Sequence, residues 1–171
     1  MKFRVGDPVM HWTYGLGKII RLERRSFTGQ KTLYYVVKLR DGTVWVPADD
    51  VGQRLRHPFS KLGFKRILAT FSGPAQPLPE DRQERKLQLS ERLKEGKPGS
   101  LCQLIHDLEA FQRGHHLNDI DQLLMKRARE ILLSEWGYAL SIKPTQAEAD
   151  LQHLLSASTA LRGASPPSGG D

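Results

Sequence analysis

Alternation of apolar and polar residues in the first third of the chain predicts short β-strands. One strand is expected over residues 9–11, a longer one over 17–27 and a third over 33–39. Glycine-containing turns such as Thr28-Gly29-Gln30 separate them. Short strands joined by tight turns are typical of a small SH3-like or Tudor-like β-barrel.

A two-residue hairpin turn is predicted at Asp41-Gly42, and it fixes which residues face each other. In this register Val37 lies opposite Val46 and Lys38 lies opposite Trp45. The aliphatic face is expected to be the core of the barrel. Trp45 therefore points outward beside a lysine, which is unusual for a large aromatic side chain that nothing covers.

The strand over residues 17–27 also separates into two faces. Ile20 and Leu22 share one face, and the other face carries Arg21, Glu23, Arg25 and Phe27. Exposed aromatic residues beside arginines often anchor protein interfaces, so Arg25, Phe27 and Trp45 are predicted to form a docking surface. A bulge near Arg24 and Arg25 would reverse the alternation and bury Phe27, and the sequence leaves this alternative open.

From Ser60 onward the apolar spacing becomes helical and predicts a compact all-α domain. A first helical face over residues 64–71 is followed by the stiff connector 73–79 and by a mostly polar helix that ends at Gly96. Basic residues recur at helical spacing in that polar helix and could form one stripe: Arg82, Arg85, Lys86 and Arg92. Asn118 is expected to cap the longest helix. The inward face predicted for that helix comprises Ile120, Leu123, Leu124, Ala128, Ile131 and Leu132.

These patterns predict two domains and a tail. The barrel is assigned to residues 1–58, the helical domain to residues 60–162 and a disordered tail to residues 163–171. The boundary could also lie in the prolines of 74–79. The earlier boundary is favoured because the apolar face over residues 64–71 needs the apolar surface that a helical domain offers.

Charge is distributed unevenly along the chain. The net charge is +7, and residues 1–66 contain 14 of the 26 basic residues but only 5 of the 19 acidic ones. The first part therefore carries 14 − 5 = +9 and the remainder 12 − 14 = −2. Such an imbalance fits nucleic acid, an acidic protein surface or simple solubility, and it does not decide among them.

Candidate chemistry is sparse. The single cysteine, Cys102, excludes an internal disulfide and is expected to be an inert core residue in a cytoplasmic protein. Adjacent Asp49 and Asp50 diverge in a loop, and His115 and His116 would point about 100° apart on a helix. We therefore expect no catalytic residue, no metal, no cofactor and no membrane span, and we interpret the protein as not an enzyme.

Several segments carry a family resemblance. FRVGDPVMHWTYGLGKI, RRSFTGQKTLYYVVKL, VWVPADDVGQR, KLQLSERLKEGKPGSLCQLIHDLEAF and LNDIDQLLMKRAREIL resemble the CarD/CdnL family of bacterial transcription factors, in order, over residues 1 to about 160. The barrel of that family is shared with the polymerase-interacting module of transcription-repair coupling factor. The resemblance implies a Tudor-like barrel followed by a compact helical domain.

The resemblance also implies partners. In the family the barrel docks on the β subunit of RNA polymerase through outward strand residues, which fall here on Arg25, Phe27 and Trp45. The helical domain contacts promoter DNA at the upstream edge of the melted bubble, with a tryptophan wedged against the minor groove. That tryptophan position falls on Arg82, and Arg85 and Lys86 would be phosphate contacts. We therefore expect a polymerase-bound transcription regulator, associated with the nucleoid through polymerase and monomeric when free. A polymerase-docked adaptor that does not bind DNA is the alternative.

Overall fold

The computed structural model describes residues 3–26, 29 and 31–163. Its N-terminal part is an antiparallel sheet of five strands in the order β4-β3-β2-β1-β5. The strands are β1 Pro8–His11, β2 Gly15–Ser26, β3 Lys31–Leu39, β4 Thr43–Pro47 and β5 Leu55–Arg56. Six helices make up most of the rest, so the predicted fold class, a small β-domain followed by an all-α domain, is confirmed.

The hairpin between β3 and β4 has a different register from the predicted one. Trp45 lies opposite Val36, and Lys38 lies opposite Thr43. The amide of Leu39 donates to the carbonyl of Gly42 at 2.9 Å, so Arg40 and Asp41 form the turn. Gly42 does not adopt the positive φ that the expected Asp-Gly turn requires. The shift is two residues, so Trp45 keeps the same face of the sheet as Lys38.

Strand β2 contains a bulge, and the bulge lies at Ile20 rather than near Arg24 and Arg25. Before the bulge Ile19 is fully buried in the barrel core, while Ile20 and Leu22 are partly exposed. After the bulge, Arg21 lies opposite Val36, and the predicted grouping of Arg21, Glu23 and Arg25 on one face follows. We name the face that carries these residues together with Tyr34, Val36, Lys38 and Trp45 the outer face.

The helices begin and end at recognisable signals. They are α1 Val51–Arg54, α2 Lys61–Leu68, α3 Arg82–Glu95, α4 Pro98–Phe111, α5 Asp119–Leu140 and α6 Pro144–Gly163, with a 3-10 turn at Ala69–Ser72 after α2. Asp81 caps α3, and Gly96 ends it in the left-handed conformation at φ 58°. Asn118 and Asp121 form a capping box on α5, as expected for Asn118. No helix in the described ranges is long and apolar enough to cross a membrane.

Two apolar clusters hold the described part of the chain together. The smaller one lies inside the sheet. The larger one joins α2 to α3, α4, α5 and α6, and it includes Met10 of β1. Cys102 is buried in the larger cluster, as predicted, and Trp136 is buried there as well. The prediction that Ile120 and Leu123 face inward is wrong, because they are 40% and 50% exposed. The predicted tail falls, from residue 164 onward, outside the described residues, and Gly163 is the last residue of α6.

Candidate functional site

A compact cluster on the outer face combines an aromatic ring, two arginines and one carboxylate. The guanidinium carbon of Arg25 lies 4.5 Å from the centroid of the Trp45 ring. The indole Nε1–H of Trp45 donates to Glu23 Oε2 at 3.1 Å, and Arg25 Nε donates to Glu23 Oε1 at 2.7 Å. Arg21 donates to the same carboxylate. We name Arg21, Glu23, Arg25 and Trp45 the Trp45 cluster.

Glu23 is the hub of the Trp45 cluster, and sequence reasoning did not single it out. The alternation Arg21, Glu23, Arg25 along one strand face was the available signal. Hydrogen bonds from Arg25 and then from Trp45 and Arg21 lower the pKa of Glu23 to about 2. The carboxylate therefore accepts hydrogen bonds from both Trp45 and Arg25 and links the two side chains.

An apolar residue lies beneath the cluster. Val36 is fully buried although it belongs to the outer face, and its partners in the sheet are Trp45 and Arg21. Val36 is absent from the core cluster inside the barrel. The side chains of the outer face therefore cover Val36, and Trp45 provides a partly exposed aromatic surface over it.

Titration of Glu23 should report this arrangement. Because its pKa is depressed, the stabilising effect of the ionised carboxylate is complete above about pH 4.5 and is lost as the pH falls toward 2. The indole Nε1–H resonance of Trp45 should therefore shift with a midpoint near pH 2 in an NMR titration. A midpoint near 4.5 would mean that the hydrogen bonds to Glu23 are absent in solution.

The third predicted docking residue, Phe27, lies outside the described residues. The structure brings the other two, Arg25 of β2 and Trp45 of β4, into direct contact on the outer face. The assignment of Phe27 to the same docking surface therefore stays a prediction from the sequence.

Arg85, predicted to contact DNA, is buried instead. Its side chain is 3% exposed and pairs with Asp121 of α5, with Nη2 2.9 Å from Oδ2. The remaining donors reach the carbonyls of Pro79 and Glu80, and the guanidinium lies 4.6 Å from the ring centroid of Phe111. An arginine whose donors are used internally cannot reach a phosphate, so the expectation for Arg85 is corrected.

Arg92 also forms an ion pair inside the helical domain. It donates to the buried carboxylate of Asp107 at 2.5 Å, and Asp107 also accepts from the amide of Gln76. Helix α3 is thus attached through arginine ion pairs as well as through Leu89, which explains why so few apolar residues suffice to hold it. The predicted four-residue stripe does not exist.

On the exposed surface of α3, the basic residues nevertheless lie apart from the acidic ones. At about 100° per residue, Arg82, Lys86 and Lys94 lie within an arc of about 120°. Glu84, Glu91 and Glu95 lie within about 40° on the other side of the helix. All six are exposed. We name the first set the cationic edge, and it retains the predicted Arg82 and Lys86.

Other polar groups have structural roles. Asp50 pairs with Arg54, and buried His106 lies 2.7 Å from Ser158 Oγ. Burial, and secondarily Arg54, lowers the pKa of His11 to about 4. Within the part of the chain that the structure describes, no three His, Cys, Asp or Glu side chains are grouped as a metal site would require.

Comparison with known proteins matches both parts of the chain. The CarD-like/TRCF RID domain matches residues 3–58, and the CarD C-terminal domain matches residues 66–152, which is half of the chain. The Bacillus subtilis (strain 168) protein named "Putative transcription factor YdeB" is 26% identical over 137 residues, which cover 78% of this chain and 89% of that protein. The chain therefore belongs to the CarD-like family of transcription factors.

Proposed function

We propose that this protein regulates transcription by binding the β subunit of RNA polymerase through the outer face of its sheet and by contacting promoter DNA near the upstream edge of the bubble through α3. The observation that carries the proposal is the Trp45 cluster, an aromatic ring and an arginine held in place on an exposed sheet. Tryptophan and arginine are among the residues most enriched in interface hot spots.

The Trp45 cluster is ordered before any partner arrives. Glu23 fixes both Trp45 and Arg25, so binding does not have to immobilise two long side chains. Lys18 and Lys38 lie directly opposite each other on the same face and add two exposed positive charges to it. This charge favours a partner surface with acidic residues around an apolar centre.

The cationic edge supports the DNA part of the proposal. Arg82, Lys86 and Lys94 form no ion pair within the described residues and can neutralise phosphates without desolvating a partner. Two or three such contacts give weak affinity alone. Tethering through the barrel raises the local DNA concentration toward the millimolar range, which makes weak contacts productive.

The adaptor alternative has its own support on the same helix. Leu87 is 63% exposed on α3, and the acidic side of the helix, with Glu84, Glu91 and Glu95, would repel a phosphate backbone. In this alternative the barrel still docks on polymerase, and α3 binds another protein.

Removing charge from the cationic edge should distinguish the two functions. The Arg82→Gln/Lys86→Gln protein should shorten the half-life of the open promoter complex by roughly two- to tenfold and reduce the log–log salt slope by about 0.9 per lost contact. The matched control is Lys65→Gln/Arg66→Gln, which removes two exposed cations from α2. Equal half-lives for both variants and the unmodified protein, with polymerase binding intact, would favour the adaptor.

An aromatic side chain at position 82 should strengthen the effect. Arginine can enter a narrow minor groove, but it does not stack on an unpaired base as indole does. Arg82→Trp should therefore lengthen the open-complex half-life on the same promoter. A half-life unchanged from that of the unmodified protein would show that position 82 does not face the bubble edge.

A further inference from the structure

The two parts of the molecule meet at a buried ion pair between the end of the sheet and the longest helix. Arg56 of β5 forms a bidentate pair with Glu135 of α5, and both N–O distances are 2.6 Å. The Glu135 side chain is 0% exposed and that of Arg56 is 22% exposed. Glu135 Oε1 also accepts from the amide of Phe59, in the segment that joins β5 to α2.

The same arginine reaches the end of α3. Arg56 Nη2 and Nε donate to the carbonyl of Gly96 at 2.8 and 3.2 Å. Gly96 also packs closely against the sheet domain, because a Cβ atom at this position would lie 3.0 Å from the Cα of Trp12. One side chain from the sheet therefore contacts both α5 and the C-terminal end of the helix that carries the cationic edge.

Other contacts at this junction are uncharged, and they include a close approach of Gly15 to α5, where an added Cβ atom would lie 2.7 Å from Ser134 Oγ. Met10 belongs to the larger apolar cluster, and the amide of Leu16 donates to Ser134 Oγ at 3.2 Å. Apolar packing is non-directional and tolerates a change of angle. A guanidinium that satisfies a carboxylate fork and a carbonyl together has one geometry, and losing it leaves a charge buried.

We propose that Arg56 and Glu135 are positioning residues that fix the orientation of α3 relative to the outer face. Docking of the barrel then determines where the cationic edge lies along the DNA. The orientation itself is independent of the proposed function, and only its consequence for DNA rests on that function.

Distances between spin labels test the orientation in the full chain. Labels at Lys18→Cys on β2 and Glu91→Cys on α3 occupy exposed positions of the two parts. Cys102 can remain, because burial raises the pKa of its thiol to about 12 and keeps it unreactive. Pulsed electron–electron double resonance should give one narrow distance distribution for this labelled protein.

The informative variant is Arg56→Met/Glu135→Met. Replacing both partners with apolar side chains of similar length leaves no buried charge, so the fold should persist while the directional contact is lost. We expect a distance distribution about twofold wider. The matched control, Asp50→Met/Arg54→Met, removes an ion pair inside the sheet domain and should leave the width unchanged. Arg56→Lys, which keeps the charge but not the fork, serves if the double variant does not fold, and it should also widen the distribution.

The outcomes separate the two proposals. Distributions of equal width in the unmodified and Arg56 variant proteins, or a broad distribution in the unmodified protein, would overturn the positioning role. A wider distribution together with a shorter open-complex half-life and unchanged polymerase affinity supports both the positioning role and the DNA contact. A wider distribution with an unchanged half-life supports the positioning role and contradicts the DNA contact.

Discussion

Arg85→Met should lower the free energy of unfolding by about 3 to 5 kcal/mol, although a position on a polar helix would ordinarily be tolerant. Methionine fills much of the arginine volume, but it leaves the carboxylate of Asp121 buried without a counter-charge. The carbonyls of Pro79 and Glu80 lose a donor as well. In thermal unfolding the change corresponds to a decrease of roughly 6 to 20 °C in the melting temperature.

Arg82→Met is the matched control for this prediction. Arg82 lies one turn earlier on α3 and is exposed, so its replacement should change the stability by less than about 0.5 kcal/mol. The two variants should also differ in function, since only the Arg82 variant removes a proposed DNA contact from a stable fold. Equal stability of both variants would mean that Arg85 is a surface residue, as the sequence alone had suggested.

Trp45→Ala should weaken binding to the purified β-subunit lobe by about 1 to 3 kcal/mol, which is roughly 5- to 150-fold in the dissociation constant. The substitution removes the ring under Arg25 and one of the hydrogen bonds to Glu23. Some stability should be lost because the ring covers Val36 on the outer face, but less than for the removal of a residue from the barrel core. Titration calorimetry with the lobe and thermal unfolding of the variant measure the two effects.

Tyr14→Ala is a suitable comparison for Trp45→Ala. Tyr14 is an exposed aromatic residue beside His11, away from the Trp45 cluster, and its removal should leave affinity for the lobe unchanged. A large loss of stability in Trp45→Ala, with the affinity of the folded fraction intact, would instead place Trp45 in the core. Equal affinity losses in both variants would indicate a general effect of aromatic removal.

Strand periodicity predicted the outer face correctly even though the details of pairing were wrong. The predicted register between β3 and β4 was wrong by two residues. Because side chains alternate between the two faces with a period of two, this error left every residue on its predicted face. The bulge at Ile20 could not be read from the sequence, because Ile19 and Ile20 are equally suited to the core. The turn and the bulge depend on backbone geometry, which residue types constrain only loosely.

Helix spacing was less informative about α3. The sequence shows Arg82, Arg85 and Lys86 as similar basic residues of one helix. Only Arg85 is buried, because it pairs with Asp121, which lies far along the chain. The same limit applies to α5, where Ile120 and Leu123 have helical spacing but lie beyond the surface that the neighbouring elements cover. Tertiary packing, and not the spacing of residues along the sequence, decides which side of an amphipathic helix is buried.

Chemical-shift mapping with the β-subunit lobe tests the central proposal, docking through the outer face, most directly. Addition of unlabelled lobe to the isotope-labelled protein should perturb backbone amides of β2, β3 and β4 around Arg21, Arg25 and Trp45, together with the indole Nε1–H of Trp45. Amides of α5 and α6 should change little. Perturbations confined to the helical domain, with the indole resonance of Trp45 unmoved at saturating lobe, would contradict docking through the outer face.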